Sequence, residues 1–392
     1  MADAYIVAVA RTATGRRNGR LVGWHPADLA AATLDAVVDR SGIDSAAIDD
    51  VIMGCVSQAG EQSCHIGRTA VLASRLPDSV PSVTIDRQCR SSQQAIHFAA
   101  QAVMSGTQDV AIAAGVESMS RVPKFSPRLL ADKAGLGVGP WPEGVKAAFG
   151  VNDFSQFVGA QMMADKYGHD RATLDAFALD SHRRASAAIA AGAFADEIVP
   201  LSYDRAEGGT AVHDTDEGVR AEATLEGIAS VKLLQDGGAI SAANASQIAD
   251  GASALLIVND AALKAHGPTP LARIHTLTVT AGDPVIMLEE PINATRRALQ
   301  RANMSIADID LYEVNEAFAT VPLAWLREIG ADPAKLNVNG GAIALGHPLG
   351  ASGARLMTTL VSALRQRGKR YGLQTMCEGG DLANVTIVEA LH

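Results

Sequence analysis

Two cysteines, a histidine and an asparagine stand out because each falls where a strand-like run gives way to a turn or a helix. Cys89 lies in SVTIDRQCRSSQ, residues 82–93, between an alternating apolar run and a helix-like one. A helix N-terminus carries partial positive charge and free backbone N–H groups, and both favour a thiolate. Arg87 and Arg90 push the same way, so a lowered thiol pKa is expected. His347 sits in VNGGAIALGHPLG, residues 338–350, just before a helix starting near Ala351. The Gly341-to-Gly346 spacing suggests a phosphate loop, but His347 and Pro348 stand where Lys and Ser or Thr are needed. What remains is a histidine in a glycine turn, where backbone can approach a ligand closely. Histidine is the usual proton acceptor for a thiol nucleophile. Cys377 lies in MCEGG, residues 376–380, whose glycines free N–H groups that can hold an oxyanion. Asn315 and Glu316, in VNEAF, residues 314–318, could orient water or a polar ligand. Plainer readings exist for each: a small buried cysteine at a strand end, a structural histidine, a β-turn, or a helix N-cap by Asn315. Together the four shift the balance, because ligand sites in α/β proteins gather at strand ends.

The elements that must hold these residues alternate. Apolar runs at 4–10, 50–54, 80–86 and 109–117 read as strands, with helical patterns at 26–42 and 90–106 between them. Pro26 near the start and Gly42 near the end mark the first helix. The alternation resumes at 251–260 and 271–282 (strands), 292–303 (helix), 308–318 (strand into turn), 354–368 (helix), and 371–380 and 383–391 (strands). The two flanks follow the same grammar without a residue-level repeat, which predicts two related α/β halves. Residues 118–250 differ: they combine Pro- and Gly-rich turns with charged helical stretches such as 170–192, and read as an insertion over the core.

Composition narrows the class of function. With 48% hydrophobic and 19% charged residues the chain is globular, not disordered. A net charge of -10 argues against nucleic-acid binding. Four cysteines are too few for a disulfide framework, and none has the CxxC spacing of a structural zinc site. The N-terminal segment lacks the order of a signal peptide, and no stretch reaches about 18 apolar residues, so a cytoplasmic protein with no membrane span is expected.

The four segments, in this order and at these separations, resemble the fingerprints of thiolases: Cys89 with Ser91, Asn-Glu-Ala-Phe at 315–318, Gly-His-Pro at 346–348, and Cys377 with Gly379. GVESMSRVP at 115–123, NASQIADGASA at 244–254 and NVNGGAIALGHPLGASGARL at 337–356 are similar to thiolase segments too, so the likeness spans the chain. The resemblance implies an α-β-α-β-α sandwich of two similar α/β halves, with helices between two sheets. It places residues 1–118 plus 250–270 in the N-terminal half, 119–249 in a loop subdomain covering the coenzyme A site, and 271–392 in the C-terminal half. It further implies a homodimer or homotetramer, acyl-CoA and CoA as substrates, and no permanent cofactor or metal.

By the same resemblance, Cys89 is the nucleophile that holds the acyl group, His347 takes the thiol proton, and Cys377 protonates or deprotonates the acetyl-CoA carbon. Asn315, through a water, and His347 would stabilise the enolate oxygen, and the N–H groups of Cys89 and Gly379 the tetrahedral oxyanion. Ser246 and Ala245 of NASQ, Arg220 and Phe318 would contact CoA. EQSCHIGR, DRQCRSSQQA and GLQTMCEGG most resemble degradative thiolases of bacterial steroid and fatty-acid breakdown. This predicts thiolysis of a longer or branched 3-oxoacyl-CoA to acetyl-CoA (or propionyl-CoA) and a shortened acyl-CoA. The alternatives are a biosynthetic acetoacetyl-CoA thiolase, a decarboxylating condensing enzyme, against which Cys377 argues, and an inactive acyl-CoA-binding relative. Two residues depart from the family pattern. Arg90 replaces a usual glycine and could acidify Cys89, block the acyl pocket or pair with a substrate carboxylate; Asp381 replaces a third glycine after Cys377.

Overall fold

A computed structural model describes residues 2–392. The β-branched and alanine-rich runs form the expected strands: β1 Tyr5–Thr12, β2 Asp50–Gly54, β3 Ser82–Ile85, β4 Val110–Ser118, β5 Ala249–Val258, β6 Ala272–Ala281, β7 Leu311–Val314, β8 Tyr371–Glu378 and β9 Leu382–Ala390. They pair in the order β7-β8-β9-β6-β1-β5-β4-β2-β3. Both halves open with parallel pairing at the outer edge and become antiparallel toward the centre. The two half-sheets of the expected sandwich are joined at one point. β1 and β6 are hydrogen-bonded at Tyr5–Arg273 and Ile6–Ala272, and this short antiparallel joint makes one continuous path.

The principal helices are α1 Pro26–Ser41, α2 Ile66–Ala73, α3 Ser91–Ser105, α4 Arg171–Ala190, α5 Pro291–Ala302, α6 Thr320–Ile329 and α7 Leu349–Gln366. The last begins at Leu349, close to the expected start near Ala351 and ahead of the periodic run at 354–368, with Pro348 as its extended N-cap. α3 and α7 form the central layer. Ala95, Ile96 and Ala99 of α3 and Ala354, Met357 and Leu360 of α7 share one core with Ala111, Ala113, Leu255 and Ile257 of the first half-sheet and Val388 of the second. α1 covers the other face of the first half-sheet through Leu29, Ala30 and Leu34. α5 and α6 cover the second through Ala294, Ala298 and Trp325. The layers are therefore α-β-α-β-α. Small residues permit the central contact: a Cβ on Gly353 would lie 2.2 Å from the backbone N of Gln93, so only glycine lets α7 close on α3.

Between β4 and β5 lie the helices Ser126–Lys133, Glu143–Phe149 and Gln156–Tyr167, then α4, the hairpin Leu201–Asp204/Thr210–His213 and the helix Leu225–Ala229. This stretch is stitched back to the sheet. The fully buried Arg11 of β1 pairs with Glu197 at 2.6 Å and Asp216 at 2.7 Å. Among the described residues, no helix is long and apolar enough to cross a membrane.

Candidate active site

Cys89 precedes the N-cap of α3, Arg90. The turn that presents it is tight. Gln88 takes φ +47°, its N–H donates to Asp86 Oδ1 at 2.6 Å, and Ser91 Oγ accepts from the Arg87 N–H and donates to the Gln88 carbonyl. The Ser91 hydroxyl thus folds the loop that carries the thiol. The expected acidic thiol is not found. Burial pushes the Cys89 thiol up to about 11, outweighing the nearby charges of Lys124 and Arg90 that pull it down. Cys89 is half-buried, and the packing around its sulfur outweighs a position before a helix and beside arginines.

Arg90 resolves the three readings left open by the sequence. Its side chain is fully buried, donates to the Asn384 carbonyl and lies 3.3 Å from Glu378 Oε1, itself fully buried. It faces β8 and β9 of the second half-sheet and is already paired, so it is unavailable to a substrate carboxylate and does not fill an acyl pocket. Because Arg90 follows Cys89 and Glu378 follows Cys377, the ion pair ties the two cysteine-bearing turns together.

His347 enters through Gly346, whose φ of +87° only glycine adopts readily; a Cβ there would also stand 2.9 Å from Ala249 and Thr14 side chains. Its Nδ1 lies 2.6 Å from Ser352 Oγ, and the Ser352 hydroxyl donates to the Pro348 carbonyl at 2.8 Å. With the serine proton committed, Nδ1–H must be the donor and Nε2 carries the lone pair. That Nε2 faces Asn315 Nδ2 at 3.5 Å. Burial, reinforced by Lys124 and Arg355, pushes the imidazole pKa down to about 3, so the ring is neutral and able to accept.

Asn315 lies directly after β7, and its buried Oδ1 has no hydrogen-bond partner in the protein. It is not a helix N-cap, since α6 begins five residues later with Ala319 at that position. Glu316 points inward. It accepts from Ser181 Oγ at 2.7 Å, Asn337 Nδ2 at 2.9 Å and the Ile343 N–H at 3.1 Å, and so fastens the glycine loop of His347 to β7.

Cys377 is buried near the end of β8; burial first, then the neighbouring Cys89, drives its pKa far up. Gly379 begins the turn into β9, and a Cβ there would meet the Gln88 side chain at 3.1 Å, which brings the two cysteine turns face to face. Asp381 does what the missing glycine would not. It holds φ +51°, which Asp tolerates better than most residues, and its Oδ1 accepts from the N–H groups of Glu289 and Glu290 at the start of α5. Its pKa rises to about 6 through burial and the charges of those glutamates.

The four candidate CoA residues divide. Ala245 bridges Phe318, the Ser246 N–H donates to the Ala317 carbonyl at 2.9 Å, and Gln247 O accepts from the His347 N–H at 3.0 Å. Ser246, Ala245 and Phe318 are thus one unit with the histidine loop. Arg220 is exposed on a separate loop that Gln247 Nε2 tethers through the Gly218 carbonyl. Sequence reasoning missed Ser352, which positions His347, and the cation Lys124, whose charge acts on both Cys89 and His347; it noted Glu316 but not that residue's partner Ser181, distant in the chain. Lys124 directly follows the 115–123 segment, but nothing in its type or spacing marked it.

Comparison with known proteins agrees with this fold. Residues 4–261 match the thiolase N-terminal domain and residues 268–390 the thiolase C-terminal domain. The chain belongs to the thiolase family. It is 50% identical to the steroid 3-ketoacyl-CoA thiolase FadA6 of Mycobacterium tuberculosis, covering 100% of this chain and 95% of that protein. It is 41% identical to the acetyl-CoA acetyltransferase of Pseudomonas aeruginosa and to a beta-ketoadipyl-CoA thiolase of Pseudomonas putida, each over 97% of both chains. The crystal structure of the Bacillus anthracis acetyl-CoA acetyltransferase superposes with a TM-score of 0.90 at 35% identity, covering 100% of this chain and 99% of that one.

Proposed function

We propose that this enzyme cleaves a 3-oxoacyl-CoA with CoA, catabolically, to acetyl-CoA (or propionyl-CoA) and a shortened acyl-CoA. One observation carries the reading above the others: the neutral His347 turns its Nε2 lone pair toward the Asn315 amide, and the charge of Lys124 acts on His347 and on the uncharged thiol of Cys89 alike. In the proposed reaction Nε2 accepts the Cys89 proton as sulfur attacks the 3-oxo carbon. The bond between C2 and C3 breaks, and its electron pair becomes the enolate of acetyl-CoA. Cys377 protonates that carbon. A second CoA thiol returns a proton to Cys377, attacks the thioester and expels the Cys89 sulfur, which recovers its proton from His347. Splitting the reaction through a covalent intermediate replaces one high barrier by two lower ones. The N–H groups of Cys89 and Gly379 serve the tetrahedral oxyanion, and Asn315 and His347 the enolate oxygen; each donor is worth about 3 kcal/mol by analogy with other oxyanion holes.

Residues 119–249 act as the subdomain over CoA, with Ser246, Ala245 and Phe318 along the pantetheine and Arg220 at the nucleotide end. The protein works in the cytoplasm, in keeping with four free cysteines, and as a homodimer or homotetramer, which would cover the sheet edge at β3 and its exposed Val83. The names of the steroid and beta-ketoadipyl relatives favour a bulky or functionalised acyl chain. The test is CoA-dependent loss of 3-oxoacyl-CoA over a chain-length series. Faster cleavage of acetoacetyl-CoA than of every longer ester would favour the biosynthetic reading instead.

A further inference from the structure

Lys124 is a partly buried cation without an anion. Its chain neighbours Arg121 and Arg128 are paired with Glu61 and Asp153, but among the described residues no carboxylate or hydrogen-bond acceptor meets the Lys124 ammonium. Two aromatic rings hold it in place: Nζ lies 5.0 Å from the centroid of Phe125 and 5.6 Å from that of Phe157. Phe157 in turn stands edge-on to Phe318, 5.8 Å away. Aromatic faces offset part of a cation's desolvation, but a removed hydration shell is fully replaced only by an anion. Through Phe157 and Phe318 the ammonium adjoins the segment that Ala245 and Gln247 join to the histidine loop, and its charge acts on Cys89 and on His347 alike. Arg90, the other cation beside the thiol, is already neutralised by Glu378.

We propose that Lys124 pairs with a carboxylate carried by the acyl chain, so that the preferred substrate class is an ω-carboxylated 3-oxoacyl-CoA. The inference rests on the thiolase reading of the same site. Lys124 is then a specificity residue, not a member of the bond-breaking set.

The experiment compares 3-oxoacyl-CoA esters of equal length, one ending in methyl and one in carboxylate, across a chain-length series, with wild type, Lys124→Met and Lys124→Arg. At the best length wild type is expected to favour the carboxylated ester by about tenfold or more in kcat/KM, mostly through KM. Lys124→Met should bring that ratio close to one whatever its absolute rate, and Lys124→Arg should preserve it. A wild type that prefers the methyl-ended ester at every length overturns the inference. So does a Lys124→Met enzyme that slows on both esters equally, which would make Lys124 a servant of the thiol. If wild type cleaves neither ester at any length, the thiolase reading fails first and this inference falls with it.

Discussion

At Cys89 the first requirement is a proton acceptor, because a thiol held near 11 does not ionise by itself at neutral pH. His347→Ala should therefore slow acylation by about 10²–10⁴-fold, measured as single-turnover thioester formation. Ser352→Ala leaves the imidazole in place but frees Nδ1 from its 2.6 Å partner and lets the ring change tautomer. A fall of about tenfold in kcat with little change in KM is expected. Arg90 makes a different prediction. Arg90→Met strands the buried Glu378 carboxylate, whose pKa is already raised to about 7 by burial. Thermal or denaturant unfolding should show a loss of about 3–5 kcal/mol, and adding Glu378→Gln should recover much of it. An Arg90→Met protein as stable as wild type would remove the ion pair from this account.

Among the elements, strands and helices that bury a face were legible, because apolar period and glycine punctuation report burial directly. The runs at 109–117 and 251–260 became β4 and β5, buried along their whole lengths. The site was legible as residue types at strand ends, but not in its electrostatics: the pKa of Cys89 depends on how completely packing excludes water, and no local pattern encodes that. Nor did sequence show why Asp381 replaces a glycine. Its carboxylate bonds two N–H groups at the start of α5, about 90 residues away in the chain. Asp381→Gly would relieve the +51° backbone but lose both acceptors, and should cost about 0.5–2 kcal/mol in denaturant unfolding, as for a lost helix cap.

Across the whole molecule, the two halves meet through the central helices, and His97 of α3 lies in that seam. Its Nδ1 accepts from Asn384 Nδ2 at 3.3 Å and its Nε2–H donates to Thr386 Oγ1 at 2.9 Å, both on β9. Burial lowers its pKa from 6.5 to about 3. Between those values the unfolded chain binds a proton that the folded chain refuses. The contribution is complete above pH 6.5 and is lost as pH falls toward 3, at about 1.4 kcal/mol per pH unit. His97→Gln should flatten the acid limb of the stability profile by that slope; an unchanged limb would show that acid acts elsewhere.

The central claim is the covalent step on Cys89. Protein is mixed with a 3-oxoacyl-CoA, quenched in acid and digested, and the cysteine peptides are weighed, for wild type and Cys89→Ala. An acyl group that free CoA discharges is expected on the Cys89 peptide, with neither adduct nor turnover in Cys89→Ala. Turnover that persists in Cys89→Ala, or an acyl group carried on Cys377 instead, would contradict it.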